Sequence, residues 1–269
     1  MKREEGPPGG LHRAWEIVHA AEHVVVLVGA GISTDSGIPD FRGPQGVWTK
    51  DPSAQTRATI GAYMSDPRIR EAAWRTRLDS QVWAARPNAG HLALVELERR
   101  GTLELLVTQN IDGLHLIAGH QPARVVEIHG NMRETVCMTC GGRQPTRLVL
   151  ERVTAGDTDP RCSVSDAGSE CGGILKTATI SFGQGLVEED LFRAERAAAS
   201  CDVMLAVGST LSVYPAAALV PTARRNGAAV VIANAEPTDY DAIADAVVRT
   251  PLSDALPKIV SENPPPAEP

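Results

Sequence analysis

Five consecutive apolar residues, Val24-Val25-Val26-Leu27-Val28, run directly into Gly29-Ala30-Gly31. Most of them are β-branched, and an apolar run with no polar alternation describes a strand covered on both faces. Such strands belong to parallel sheets, whose crossover helices cover both faces. Similar runs recur at 103–107, 125–128, 203–207 and 230–233, and 11–22, 89–100, 188–199 and 215–226 read as the intervening helices. Strand alternating with helix predicts an α/β fold with a mostly parallel, doubly wound sheet.

Two stretches break that rhythm. Residues 40–87 are polar, Trp-containing and partly helical in pattern, and 131–180 are rich in Cys, Gly and Thr. Both read as insertions that together form a smaller domain, leaving 11–39, 88–130 and 181–260 as a discontinuous large domain. The ends, 1–10 and 261–269, carry Gly and Pro without apolar periodicity and are expected to be flexible tails, disordered from Ser261 onward. Hydrophobic residues make up 43% of the 269, enough for one large or two modest cores, but aromatics only 4%, so Val, Leu, Ile and Ala must fill the interior.

Charge narrows the partners. The 26 Lys+Arg against 33 Asp+Glu leave a net charge of −7. Proteins that hold nucleic acid draw most of their affinity from a basic surface, so this balance argues against that ligand. No secretory signal follows Met1-Lys2-Arg3, and no apolar run approaches the about 20 residues that cross a bilayer. The expectation is a cytoplasmic protein without membrane partners; its oligomeric state is not readable from the chain.

Five strings sit at the predicted carboxyl ends of strands, where open parallel sheets bind ligands. Gly29-Ala30-Gly31-Ile32-Ser33 lets the backbone approach a pyrophosphate, although Thr34 replaces the third glycine of the usual fingerprint and a bare strand-to-helix turn would look alike. The loop that follows holds Phe41, Arg42 and Trp48 between glycines, a charge for phosphates with aromatics that exclude water. Gln109-Asn110-Ile111-Asp112-Gly113 offers amides and a carboxylate to a ribose or carboxamide, or is simply a good turn. His129-Gly130 ends the run at 125–128, and a histidine there is placed as a general base near neutral pH. The other six histidines, 12, 19, 23, 91, 115 and 120, read as solvated or packing residues. Gly208-Ser209-Thr210 and Asn234-Ala235-Glu236 close the set, as donors to an adenosine or as helix caps.

Cysteines carry a separate message. Cys137-x-x-Cys140, Cys162 and Cys171 supply four thiolates for a tetrahedral zinc, with a redox pair or free thiols as the alternatives. Four thiolates leave no coordination position for substrate, so such a zinc is structural. Cys201 stands apart before an apolar run and reads as a small core residue.

In this order the motifs resemble the sirtuin family over about 15–260. The string Gly43-Pro44-Gln45-Gly46-Val47-Trp48-Thr49, with the wide second cysteine pair, is most similar to its class IV branch, which contains the nuclear mammalian sirtuins. The resemblance implies an NAD-dependent protein-lysine deacylase, with a Rossmann-like large domain and a zinc-bearing small one, which releases nicotinamide and O-acyl-ADP-ribose. It implies that His129 and Asn110 are catalytic, His129 as base for a ribose hydroxyl after the acyl oxygen attacks the ribose carbon. Gly29, Ala30, Gly31, Thr34, Phe41, Arg42 and Trp48 would line the NAD site. Gln109 and Asn110 would hold the nicotinamide ribose, Asp112 the carboxamide, and Gly208, Ser209, Thr210, Asn234, Glu236 and Leu252 the adenosine end. An acylated-lysine peptide would lie as an added strand between Ile180, Ser181, Phe182, Gly183 and Leu211, Ser212, Val213, Tyr214. Mono-ADP-ribosyl transfer and slow NAD or ADP-ribose sensing are the alternative activities. Ser209-Thr210 reverses the common order, while Thr177 and Gln184 stand where Pro and Glu are usual. The basic termini of the nuclear relatives are absent, which argues against their chromatin role.

Overall fold

The structure, a computed structural model, describes residues 10–40, 58–166 and 169–266. In chain order it begins with α1 (Gly10–His19), β1 (Val24–Val28), a tight helical turn over Ala30–Ser36, α2 (Ile60–Ser65), α3 (Pro67–Leu78) and α4 (Ala89–Arg99). There follow β2 (Leu103–Thr108), α5 (Leu114–Ala118), β3 (Val125–Glu127), β4 (Gly130–Cys137), β5 (Arg143–Pro145) and α6 (Thr146–Thr154). The rest comprises β6 (Ser165–Asp166), β7 (Ser169–Glu170), β8 (Leu175–Thr179), α7 (Glu188–Ser200), β9 (Val203–Val207), α8 (Leu219–Arg225), β10 (Ala229–Ala233), β11 (Ala246–Val248) and α9 (Leu252–Ile259).

Six strands form one sheet in the order β11-β10-β9-β1-β2-β3, and every pairing in it is parallel. All five residues of β1 are buried, because successive side chains point to opposite faces and both faces are covered. Val24, Val26 and Val28 join a core with α1, α4 and α9, whereas Val25 and Leu27 join a second core with α7 and α8. Each fully buried Val or Leu contributes about 1.5–3 kcal/mol of transfer free energy, so the continuous apolar runs hold both layers. The doubly wound, Rossmann-like sheet predicted from the sequence is therefore present.

The chain winds outward from β1 in both directions, which leaves a crevice above the carboxyl ends of β1 and β9. Asn88 helps to shape its rim. Its side chain caps α4 by accepting from the Gly90 and His91 amides, and its Nδ2 donates to the Ile32 carbonyl at 2.7 Å and to Ser36 Oγ at 2.9 Å. One residue thereby starts a helix and pins the turn that follows β1.

A three-stranded antiparallel sheet, β5-β4-β8, stands beside the crevice, with β4 continuing directly from His129. Its core contains Trp74, Val149, Leu150, Leu175, Cys137 and Cys162, so α3 packs on the cysteine-bearing segment. Tyr63 donates from Oη to the Leu175 carbonyl at 2.7 Å, and buried Arg70 makes two 2.8 Å bonds to the Asp159 carboxylate. A bidentate pair of this kind fixes orientation as well as charge.

Two expectations are corrected. The segment from Ser261 to Pro266 is ordered on α1: Trp15 Nε1 donates to the Ser261 carbonyl at 2.8 Å, His12 Nδ1 faces the Pro265 carbonyl at 3.3 Å, and Pro265 is buried. A half-buried indole N–H still seeks an acceptor, and the distant tail supplies one that composition does not reveal. The sheet also has a sixth strand, β11, whose Ala246-Val247-Val248 is too short to register as an apolar run. Among the described residues no helix is long and apolar enough to cross a membrane.

Candidate active site

A cleft of about 1680 Å³ opens at the carboxyl ends of β1, β2, β9 and β10 and extends to β8. It exceeds the about 300–1,000 Å³ of a single small-molecule site, which leaves room for a dinucleotide and part of a second substrate.

Its floor is two interlocked glycine loops. Gly29 donates its amide to the Val207 carbonyl and Gly31 to the Gly208 carbonyl, both at 2.8 Å. A Cβ on Gly31 would lie 2.8 Å from Gly208 Cα, and Gly208 itself has φ +60°, so side chains are excluded from both sides. Ala30, Thr34 and Ser209 line the floor, with Thr34 Oγ1 donating to the Gly31 carbonyl at 2.9 Å.

The loop after β2 is tied to that floor. Gln109 Nε2 donates to Ser209 Oγ at 3.0 Å, and Asn110 Nδ2 to the Gly29 carbonyl at 3.1 Å and to Ser33 Oγ at 3.3 Å. Ser33 Oγ in turn donates to Asp112 Oδ2 at 2.8 Å, while Asp112 Oδ1 accepts the Leu114 amide at 2.9 Å. Burial pushes the Asp112 carboxyl up, against these two hydrogen bonds and the Arg133 charge, which favour the anion. Ser33 is thus the hub joining Asn110 to Asp112. It is visible in the string after β1, but its role depends on a contact with residues far along the chain. Asp112 lies just behind the cleft wall.

His129 sits on the wall with Nδ1 3.1 Å from the Gln109 carbonyl oxygen. A carbonyl only accepts, so Nδ1 carries the proton and donates, and Nε2 is the basic nitrogen. Its own carbonyl accepts the Ile180 amide at 2.8 Å, which holds the 180–183 segment against it.

The far end holds Thr210, Asn234, Glu236 and Leu252, all at the cleft wall. Asn234 Nδ2 donates to the Glu236 carbonyl at 2.8 Å, and Arg249, missed by the sequence reading, donates to the Asn234 carbonyl at 2.8 Å. Near β8 the wall carries Ile180, Ser181, Phe182 and Gly183 on one side and Val213 and Tyr214 on the other. Leu211 departs from expectation: its side chain is 1% exposed and packs in the core under α8, because a leucine gains more there than at a wet groove. Ser212 bonds to Thr210 Oγ1 at 2.9 Å and is not among the lining residues. Phe41, Arg42 and Trp48 lie outside the described residues.

The four cysteines converge, with all Sγ atoms within 4.8 Å of one another, Cys137 to Cys171 at 3.7 Å and Cys140 to Cys162 at 3.8 Å. Thiolates about 2.3 Å from a tetrahedral zinc stand about 3.8 Å apart, so the set fits that ion. Cys201 is buried elsewhere in the large core.

A parallel sheet with interlocked glycine loops at its switch point, beside a tetrathiolate module, defines a dinucleotide-binding α/β protein with four cysteines clustered as in a structural zinc site. The chain belongs to the Sir2 family, which matches residues 29–215. It is 48% identical over 237 residues to NAD-dependent protein deacetylase 2 of Streptomyces coelicolor, covering 88% of this chain and 96% of that one. To the NAD-dependent protein deacetylase of Sulfolobus acidocaldarius it is 41% identical, covering 91% and 92% of the two chains. Among solved structures, a Sir2 enzyme with a p53 peptide and NAD+ aligns with TM-score 0.78 at 32% identity, over 90% of this chain and 93% of that one. Another Sir2, with a deacetylated p53 peptide and 3'-O-acetyl ADP-ribose, aligns at 0.83 and 31% identity, over 92% and 96%.

Proposed function

We infer that the chain is an NAD-dependent protein-lysine deacylase that takes acylated-lysine protein segments. The observation that carries the reading is His129, whose Nδ1 is committed to the Gln109 carbonyl, on one wall with Asn110 and in front of the Ser33–Asp112 pair. NAD supplies a ribose carbon whose nicotinamide is a good leaving group, so no hydride acceptor and no catalytic metal position is needed. Gly29, Gly31 and Gly208 let the backbone approach its pyrophosphate, and Asn234 with Glu236 serve the adenosine end. Gln109 and Asn110 orient the nicotinamide ribose, and Asp112 meets the carboxamide. His129 Nε2 accepts the proton of a ribose hydroxyl, the step general-base catalysis accelerates by about 10²–10⁴. Phe41, Arg42 and Trp48 serve the same dinucleotide.

The peptide lies between Ile180–Gly183 and the Val213–Tyr214 side, adding a strand between a sheet-based large domain and a zinc-bearing small one. The cysteine spacing supports placement in the class IV branch, and the four thiols fit the reducing cytoplasm. The seven-charge acidic excess suits lysine-rich protein segments and disfavours nucleic acid.

Incubation with NAD and an acetyl-lysine peptide tests the reading. Nicotinamide, deacetylated peptide and O-acetyl-ADP-ribose are expected in equal amounts. ADP-ribose attached to protein in place of a freed lysine would replace deacylation by ADP-ribosyl transfer. Tight ADP-ribose binding with no nicotinamide release would make the chain a sensor.

A further inference from the structure

Arg133 lies on β4, midway between His129 and the first cysteine of the quartet, and the chemistry above makes no use of it. Its Nε donates to the main-chain carbonyl of Asp112 at 2.8 Å, and its Nη2 to that of Val82 at 3.3 Å. Its guanidinium carbon stands 5.7 Å from the centre of the Trp83 ring. The side chain fills the space beside Gly113, whose φ is +72°. A Cβ there would fall 2.9 Å from both Arg133 Cδ and Nε. The neighbouring Met132 amide donates to the Ile111 carbonyl at 2.9 Å, so β4 grips two successive carbonyls of the loop after β2.

Charge points the same way. Burial raises both the Asp112 and Glu127 carboxyls, and the Arg133 cation favours the ionised form of each. Glu127 accepts from Asn131 Nδ2 at 2.7 Å, and Asn131 Oδ1 accepts the Arg133 amide at 3.0 Å, so the carboxylates and the arginine share one network. Glu134 bears on Glu127 and Arg86 on Arg133 as the further charges nearby. On the opposite side Asp112 is held by Ser33 and the Leu114 amide.

We propose that Arg133 is a positioning residue that clamps the Asp112 loop to the strand leading into the cysteine quartet, and so sets the affinity for the nicotinamide half of NAD. The inference rests on the reading of Asp112 as the carboxamide partner. Glycine loops and Asn234 hold the adenosine diphosphate elsewhere in the cleft, so ADP-ribose, which lacks the nicotinamide that Asp112 meets, depends less on Arg133. Without the guanidinium the Asp112 and Val82 carbonyls lose a charged donor, and such hydrogen bonds are the strong ones.

The test is calorimetry on the zinc-loaded full chain with an acetyl-lysine peptide present. It compares ADP-ribose with a carbocyclic NAD analogue that keeps its nicotinamide. For Arg133→Gln the analogue is expected to bind about tenfold more weakly and ADP-ribose less than twofold, with zinc content unchanged. Arg133→Lys keeps the charge and one donor, so it is expected to recover part of the loss, and it serves as the reporter if the glutamine variant does not fold. Equal losses for both ligands, no loss for either, or a lysine variant as weak as the glutamine one would each overturn the proposal. A wild-type chain that binds the analogue as predicted but releases no nicotinamide from NAD would overturn the deacylase reading and leave Arg133's role standing.

Discussion

His129 Nδ1 lies 3.1 Å from the main-chain oxygen of Gln109, two residues after β1's neighbour β2 has ended its run of buried apolar side chains. A backbone acceptor cannot rotate away or change its protonation. The imidazole is therefore held as one tautomer, with Nε2 as the base, by the same loop that carries Asn110 and Asp112. Replacing His129 by Ala should lower formation of deacetylated peptide and O-acetyl-ADP-ribose from an acetyl-lysine peptide by about 10²–10⁴. ADP-ribose affinity, read by calorimetry, should stay within about threefold, since the glycine loops and Asn234 hold its adenosine diphosphate away from His129. Unchanged formation of deacetylated peptide would remove His129 from the chemistry.

The glycine interlock makes a sharper demand. A Cβ at Gly31 would meet backbone atoms of Gly208, 2.8 Å from Cα and 2.9 Å from the carbonyl oxygen, and backbone cannot swing aside as a side chain can. Gly31→Ala should cost about 1–3 kcal/mol of stability, by overpacking, and should abolish measurable NAD binding. Gly61, where a Cβ meets nothing within 4 Å, is the control: Gly61→Ala should leave binding unchanged.

Zinc content follows from the thiol geometry. Metal analysis should find one zinc per chain, and Cys162→Ser should lose it, whereas Cys201→Ser should not, because that thiol is buried in the large core. Chelation should lower the melting temperature. Cys137, which ends β4, and Cys162 share a core with Trp74, so tryptophan emission should report the release. A folded, zinc-free chain with unchanged emission would contradict this.

His91, His115 and His120 are all buried, and their rings lie in a row, tilted by 48° and 54°, with centroids 4.9 and 5.7 Å apart. Both ring nitrogens of His115 and the Nε2 atoms of the other two have no hydrogen-bond partner among the described residues, while His120 Nδ1 faces the Glu98 carboxylate. Burial pushes His91 down to about 4 and His115 well below its usual value. In the unfolded chain these groups titrate near 6.5. Below that pH the unfolded state binds protons that the folded state refuses. This contribution is therefore complete above about 6.5 and is lost as the pH falls toward 4. His91 alone should remove about 1.4 kcal/mol between pH 7.5 and 5.5, measured by urea unfolding. His115→Leu should flatten that dependence, since it replaces an unpartnered imidazole by an apolar side chain. A variant with the wild-type slope would show that the cluster takes no part.

Legibility varied with how local each signal is. The strand at Val24–Val28 and the glycines after it were readable because burial on both faces leaves an uninterrupted apolar string, and the helix cores at 89–99 and 188–200 because amphipathicity is periodic. The short β11, the docking of Ser261–Pro266 on Trp15 and the inward turn of Leu211 were not readable. Each depends on a partner far away in the chain. Ser33 lay inside a recognised string and Arg133 inside the 131–180 insertion, yet their side chains act on Asp112, 79 and 21 residues away.

By itself, then, the sequence determined the class of fold, the ends of strands on which the cleft stands, the acidic balance and the four thiolates. Those follow from periodicity, composition and ligand chemistry, which are properties of neighbouring residues. Only the tertiary structure decided which carbonyl orients His129, which guanidinium braces Asp112, that Gly31 and Gly208 exclude each other's side chains, and that three histidines share one buried cluster. Hydrogen bonds and steric exclusion act over about 3–4 Å in space, and no local pattern in a chain encodes which distant residues will come that close.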